Sequence, residues 1–488
     1  MRVKLAGFNI DSDILQRLDP DGLQRFTPET LSAAYARISR SPLAVDQLRK
    51  QACLDVEKAR RSNQKIIFEM GHHSVAEHAV FNFDIMGVSR LALEEIEQFR
   101  LASYTEKSQR YVTLDGDLVV PREIGDPALK KVFRDAVRRQ NRFYFKAFER
   151  LQRRLKRLHA TTVTSAAGQR LVEGWAKEDA RYILPLATCG QVGMTVNART
   201  LEHMFRRWRL SPRQEVQRLA ARLCSLVLPV APSIILFPEP TAFDRDAFSA
   251  MDGHFASLPA MAKPRMPAGP EIVSCPENGD DIILASRLSV VRCLDLNRAL
   301  AIVKKMGAAQ KKKLFTEFFS QIRFFSAVPR EFEMADITFQ ADVSAANFAQ
   351  LKRHRMATLL AGGYAPELGN TLPMSIRDAG LAGEFMEIIA STNDSYRRLK
   401  EACGAAADYV LTNSHRRRVL MKMNLREMYH FVRLRDDEHA QWDIRELAHG
   451  LAKKVRARMP LTAMMLCGKS RFLREYEKIY SSPPPDEA

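Results

Sequence analysis

Along the chain, apolar residues recur at three- and four-residue spacing over long stretches and at two-residue spacing over short ones. Those two periods separate helix from strand. In DQLRKQACLDVEKARRSNQKIIFEMG, Leu48, Ala52, Val56 and Ala59 recur with charge between them. This predicts helix within a mostly helical stretch from 28 to 110, and Gly71 breaks the pattern. HAVFNFDIMGVSR alternates in part and is rich in β-formers, so it predicts a strand, followed by a helix from about Ser89 into Phe99. Residues 124–160 predict one long, heavily basic helix, with Phe143, Phe145 and Phe148 supplying part of its buried surface. The segment 165–230 reads as helical, broken near Pro185. From 238 the character changes: Pro238, Pro240, Pro259, Pro264, Pro267, Pro270 and Pro276 punctuate a stretch rich in glycine and alanine.

The expected organisation is therefore a first domain over 1–237, a linker over 238–280, a second domain over 281–480 and a disordered tail over 481–488. Internal echoes support a duplication. MTVNARTLEHMFRRWRL and MKMNLREMYHFVRLR both place Asn, then Arg two later, then His four after that: Asn197, Arg199, His203 and Asn424, Arg426, His430. A helix leads to Gln98-Phe99-Arg100 in the first half and to Arg353-His354-Arg355 in the second. Tyr35-Ala36-Arg37-Ile38-Ser39 has a weaker echo in Ala285-Ser286-Arg287-Leu288-Ser289. A chain of 488 residues exceeds what one core usually serves, which agrees with two domains.

Composition narrows the partners. Lys plus Arg number 75 against 57 acidic residues, a formal charge of +18, which favours anionic ligands. Runs such as Arg138-Arg139, Arg153-Arg154 and Arg416-Arg417-Arg418 suit a nucleic acid, yet no aromatic-basic stacking motif or helix-turn-helix signature accompanies them. Nucleic acid is therefore not the expected partner. Seven scattered cysteines without a CxxC fit a reducing compartment, and the N-terminus lacks a signal-peptide apolar core, so the cytoplasm is expected. No apolar run is long enough to span a membrane.

Four constellations carry chemistry. In Ser103-Tyr104-Thr105-Glu106-Lys107-Ser108-Gln109-Arg110-Tyr111, Ser108 and Arg110 would point the same way on an extended loop and close on one phosphate; a polar turn without ligand is the alternative. Gly71-His72-His73-Ser74-Val75-Ala76-Glu77-His78 gathers histidines, but the spacing is not that of a zinc helix, and a phosphate-facing turn or a helix cap fits better. Arg353-His354-Arg355 suits a diphosphate or a solvated basic face. After Arg435, Asp436 or Asp437 would cap a helix holding Glu438 and His439 in its first turn, with His439 and Asp443 as neighbours one turn apart.

Gly71 through Tyr111 and Asn424 through Arg445 resemble flavin-dependent thymidylate synthase. The family signature runs Arg-His-Arg, two residues, Ser, one, Asn-Glu, one, Ser, one, Arg-Tyr. The first half keeps its tail, Ser103, Thr105-Glu106, Ser108 and Arg110-Tyr111, but leads with Gln98-Phe99-Arg100. The second half keeps Arg353-His354-Arg355 but has Thr358, Leu360-Ala361, Gly363 and Ala365 in place of the rest. The family's nucleotide arginine matches Arg181, with Asp408 as counterpart. Its late Arg and His match Arg435 and His439, where the first half has Trp208 and Pro212.

The resemblance implies an α/β (α+β) chain of two tandem synthase-like domains, each a small sheet with long packed helices. It implies FAD, with NADPH and methylenetetrahydrofolate as co-substrates, and dUMP or a related pyrimidine nucleotide as substrate. It further implies a homodimer forming a pseudo-tetramer. By the same resemblance, Glu106, Ser108 and Arg435 are catalytic, and Ser108, Arg110, Arg181, Gln350 and Arg435 bind the nucleotide. His72, Ser74, Arg100, Ser103, Thr105, Glu106, Asn197, Arg199, Arg353, His354, Arg355, Asn424, Arg426, His430 and His439 are implied on the flavin side. Because each copy keeps what the other lost, composite sites are expected. One joins Glu106, Ser108 and Arg110 to Arg435, with Arg100, His72, Ser74, Asn424 and Arg426 on the flavin; its reciprocal joins Arg353, His354 and Arg355 to Asn197, Arg199 and Arg181. At most half the sites should then turn over, and the alternative is a catalytically impaired flavin- or nucleotide-binding scaffold.

Overall fold

Strand pairing sets the architecture, and it does so twice. The computed structural model describes residues 1–10, 27–38, 41–109, 117–258, 267 and 269–484. Strands β1 (Arg2–Phe8), β2 (Val80–Ser89), β3 (Ala102–Glu106) and β4 (Cys189–Asn197) form one antiparallel sheet in the order β1-β2-β4-β3. Strands β5 (Glu271–Ser274), β6 (Asp336–Ser344), β7 (Thr358–Tyr364) and β8 (Arg416–Asn424) form another in the order β5-β6-β8-β7. The recurrence of order and direction is the duplication that the sequence echoes suggested.

The alternation of the strands explains the sheets. Phe81, Phe83 and Ile85 of β2 stand opposite Val196, Met194 and Val192 of β4, all buried. In the second sheet Ile337, Phe339 and Ala341 face Met423, Met421 and Val419. Each apolar face is covered by the helix that follows the central strand and by the next one. Ala198–Arg209 and Gln214–Val227 serve the first sheet; Leu425–Arg435 and Trp442–Arg458 serve the second. Each buried phenylalanine contributes about 1.5–3 kcal/mol to this packing.

The first compact unit comprises Met1–Met261 with Pro373–Thr412; the second comprises Ala262–Leu372 with Asn413–Ala488. The first therefore holds the long helix Pro127–Leu158 together with Ala382–Cys403 from the second sequence copy. Gln140 ties them, donating to Thr392 Oγ1 and to Val410 O, each at 2.9 Å. The long helix buries a stripe through Phe133, Val137, Phe143, Tyr144 and Leu151. Phe145, expected to be buried, is 41% exposed, because it lies off that stripe.

Other expectations need correction. The segment 165–230 is not helical throughout: β4 interrupts it, and its short Val192-Met194-Val196 alternation was masked by helices on both sides. Within 238–280 lie two short helices, Ala242–Asp246 and Ser249–Ala256, and β5; Thr241 and Asp244 form a capping box for the first. Among the described residues, no helix is long and apolar enough to cross a membrane.

Candidate functional site

The second unit supplies the better-built site. Asn424 ends β8 and caps the helix Leu425–Arg435, accepting from Glu427 N at 2.9 Å. This fixes one face of the helix, on which Arg426, His430 and Arg433 line a cavity of about 670 Å³. Arg426 is held by Glu333 at 2.8 Å and by Val328 O at 2.9 Å. Arg330 and Arg426 keep the Glu333 carboxyl below its ordinary range.

At the helix's far end a relay takes shape. Arg435 Nε donates to His354 Nε2 at 2.9 Å, and His354 Nδ1 meets Glu427 Oε1 at 3.3 Å. An Nε2 that accepts from a guanidinium carries no proton, so the ring's hydrogen sits on Nδ1 and points to Glu427. Burial is the main cause that pushes the His354 pKa down to about 4; Glu427 opposes that shift and Arg435 and His430 add to it. His354 is thus a neutral spacer that transmits the position of Glu427 to Arg435. Arg435 Nη2 also donates to Gln350 O at 3.4 Å. Gln350 is 7% exposed, and its Nε2 is buried with no acceptor among the described residues. A buried amide donor left in this state costs about 1–3 kcal/mol unless a ligand accepts from it.

The first unit repeats the frame with different chemistry. Asn197 ends β4 and caps Ala198–Arg209, accepting from Thr200 N at 2.8 Å. Arg199 pairs with Glu77 at 2.6 Å, as Arg426 does with Glu333. The same helix face, through Arg199, His203 and Arg206, lines a cavity of about 1140 Å³ that also receives His73 and Arg100. Burial and the nearby Arg206 and Arg207 lower the His203 pKa. In place of the His354–Arg435 pair stand Phe99 and Trp208, with ring centroids 5.7 Å apart and edge-to-face. Trp208 Nε1 donates to Glu95 O at 3.4 Å, where Arg435 donates to Gln350 O.

Glu95, the counterpart of Gln350, spends its carboxylate on Arg213 at 2.5 Å, and Arg213 also binds Asp408 at 2.6 Å. Burial opposes the charge on Arg213, but the two carboxylates together raise its pKa. Asp408, which the sequence set in place of the nucleotide arginine, is therefore an internal counter-ion. Arg181 itself is buried, 6% exposed, with Nε donating to Glu178 O at 3.2 Å.

Several expected residues lie elsewhere than expected. Dividing Arg435 and His354 between two sites is incorrect, since the two are hydrogen-bonded. Arg100 likewise shares a cavity with Arg199 of its own copy. Glu438 and His439 open no helix: the helix begins at Trp442, and Asp436 closes the preceding one. Asp437 instead folds the turn, accepting from the His439 ring at 2.9 Å and from Ser470 N at 2.9 Å. His72, just before the 3₁₀ segment His73–His78, and Ser74 within it are both exposed. Ser103 and Thr105 share the exposed face of β3, Glu106 takes the other, and Ser108 follows the strand. Arg353 and Arg355 are exposed on either side of the buried His354. Arg110 and Tyr111 lie outside the described residues.

Glu427, Glu95, Arg213, Arg206 and Arg433 were not singled out from the sequence. The last two were within reach: each Asn-x-Arg-x-x-x-His echo continues with an arginine three residues later. The three salt-bridge partners carry no comparable signal, because the chain separates them widely.

Two antiparallel sheets of one strand order, each feeding an Asn-capped helix that lines a basic cavity, define a duplicated α+β protein with paired arginine-lined cavities. The family profile of the thymidylate synthase complementing protein matches twice, over residues 23–233 and 272–461, and the chain belongs to that family, the flavin-dependent thymidylate synthases. A flavin-dependent thymidylate synthase of Clostridium tetani is 32% identical over 217 residues, covering 44% of this chain and 83% of that one. A UPF0159 protein of Thermoplasma acidophilum is 23% identical over 446 residues, 82% of this chain and 87% of that one. Among solved structures, the UMP/dUMP methylase PolB from Streptomyces cacaoi bound with 5-Br dUMP aligns at 19% identity and a TM-score of 0.33, over 51% of this chain and 94% of that one.

Proposed function

We propose that the chain is an FAD-dependent enzyme that methylates dUMP, or a closely related pyrimidine nucleotide, with methylenetetrahydrofolate and NADPH as co-substrates. The observation that carries this reading is the Glu427–His354–Arg435 relay beside the buried, acceptor-less amide of Gln350. His354 and the Gln350 carbonyl hold the Arg435 guanidinium in one orientation, and under this reading that held cation meets the nucleotide's anion. Gln350 Nε2 would donate to a carbonyl of the base, and Arg353 and Arg355 would neutralise phosphates at the exposed rim.

The flavin-side residues fit the group: Arg426 and His430 present cationic and polar edges to a cavity with room for a flat ring beside Phe324 and Phe325. When bound, a flavin supplies the relay of the one-carbon unit and of the reducing equivalents. Under this reading Ser108, Arg110 and Arg181 keep the nucleotide-side roles, and Glu106 the ring-side role, that the family resemblance implies. Two chains would assemble into a pseudo-tetramer.

The first copy's own frame favours a second reading for that half alone. Phe99 and Trp208 replace the polar pair, and Arg213 is already neutralised by Glu95 and Asp408. That half would bind no dUMP, so the chain would offer one working nucleotide site. The test is dTMP formation by purified chain supplied with FAD, NADPH, methylenetetrahydrofolate and dUMP. Flavin-dependent product formation that Arg435→Ala abolishes is expected. A chain that binds FAD and dUMP without turnover would reduce the assignment to a nucleotide-binding scaffold.

A further inference from the structure

Arg206 and Arg433 hold the same position in the two copies, each three residues beyond a cavity histidine and each lining its own cavity. In each, one guanidinium nitrogen is buried without an acceptor among the described residues: Nε in Arg206 and Nη1 in Arg433. Among the described residues, the carboxylates around the first cavity make their hydrogen bonds elsewhere. Glu202 accepts from Leu236 N at 2.9 Å and Phe237 N at 3.0 Å. Asp244 accepts from Thr241 N, and that bond together with the charges of Arg206 and Arg207 keeps its carboxyl below the ordinary range; Glu95 holds Arg213. In the second cavity Glu333 holds Arg426, and Glu427 holds His354. Arg433 lies 4.7 Å from the Phe472 ring centroid, a contact that orients the cation without neutralising it. Burial lowers its pKa, which marks a charge with too little compensation inside the protein.

A guanidinium nitrogen left without an acceptor at the same helix position in two cavities of otherwise diverged chemistry points to a shared ligand group, and a guanidinium fork suits phosphate. We propose that Arg206 and Arg433 are a phosphate-binding pair, one in each copy, and that the first cavity still binds a phosphorylated aromatic cofactor although its nucleotide frame is closed. Phe99 and Phe237 line that cavity and supply aromatic surface for the aromatic part. The cofactor's identity as FAD rests on the function proposed above; the phosphate subsite does not.

The experiment titrates the full chain with FAD and with riboflavin, which lacks phosphate, following flavin fluorescence. Wild type should take up two FAD per chain. Arg206→Met and Arg433→Met should each weaken FAD tenfold or more at one site, leave riboflavin affinity unchanged, and be partly rescued by lysine. Equal weakening of both flavins, or unchanged FAD binding, overturns the proposal. If wild type binds neither flavin, the flavin reading fails, and inorganic pyrophosphate becomes the probe by calorimetry. Pyrophosphate binding that both methionine variants lose then upholds the subsite, and its absence in wild type overturns it.

Discussion

Arg435 and His354 act together, and their geometry makes separate predictions for each. Under the proposed function, replacing Arg435 with alanine removes a charge-assisted contact to the nucleotide, which corresponds to about 1.5–3 kcal/mol. Nucleotide affinity should fall tenfold to a hundredfold or more; lysine should restore little, because a point charge cannot bond His354 and a ligand in the same fork. Titration with dUMP checks both variants. His354→Phe copies the first half's residue and should raise the KM for the nucleotide, since Arg435 loses its tether while keeping its charge.

His354 also predicts a pH dependence. The folded ring titrates near 4 and the unfolded ring near 6.5, so the unfolded chain binds the extra proton between those values. Stability is therefore complete above pH 6.5 and declines as pH falls towards 4, by up to about 3 kcal/mol from this group. Urea unfolding at pH 7.5 and pH 5 should show wild type losing more stability than His354→Phe. Equal losses would mean that the ring is already charged in the fold.

At the scale of elements, the two caps anchor the two cavities. Asn424→Ala removes the acceptor for Glu427 N and should cost about 1 kcal/mol. It should also disturb His354, because Glu427 is both the capped residue and the relay's carboxylate. Asn197→Ala should cost a similar amount in the first unit without touching dUMP affinity, and thermal unfolding with a nucleotide titration separates the two effects. Phe339→Ala, opposite Met421 in the second sheet, should cost about 3–5 kcal/mol.

These elements also show what could be read in advance. The β2 strand was legible because Phe81, Phe83 and Ile85 alternate before the bulge at Gly87, and the long basic helix because its buried stripe runs unbroken. Strand β4 was not, since three alternating apolar residues between glycines and helices give either period. The turn around Asp437 misled because an acidic pair before a tryptophan has the composition of an N-cap. The fold instead uses Asp437 to accept from residues on two segments.

For the whole molecule, the repeat of strand order makes the halves alike in frame and unlike in chemistry. The echo of Asn, Arg and His made the duplication legible, since all three serve the frame through cap, salt bridge and cavity wall. The exchange of His354 and Arg435 for Phe99 and Trp208 was visible as letters, but its meaning depended on Glu95, Arg213 and Asp408 meeting in space. The excess charge of +18 accords with anionic ligands for both halves.

The central claim is that one half holds the nucleotide frame and the other has closed it, and counting sites tests this most directly. Equilibrium titration of the purified chain with dUMP in the presence of FAD should saturate at one nucleotide per chain, and Arg435→Ala should abolish that binding. Two nucleotides per chain, or one that survives Arg435→Ala, would contradict the account.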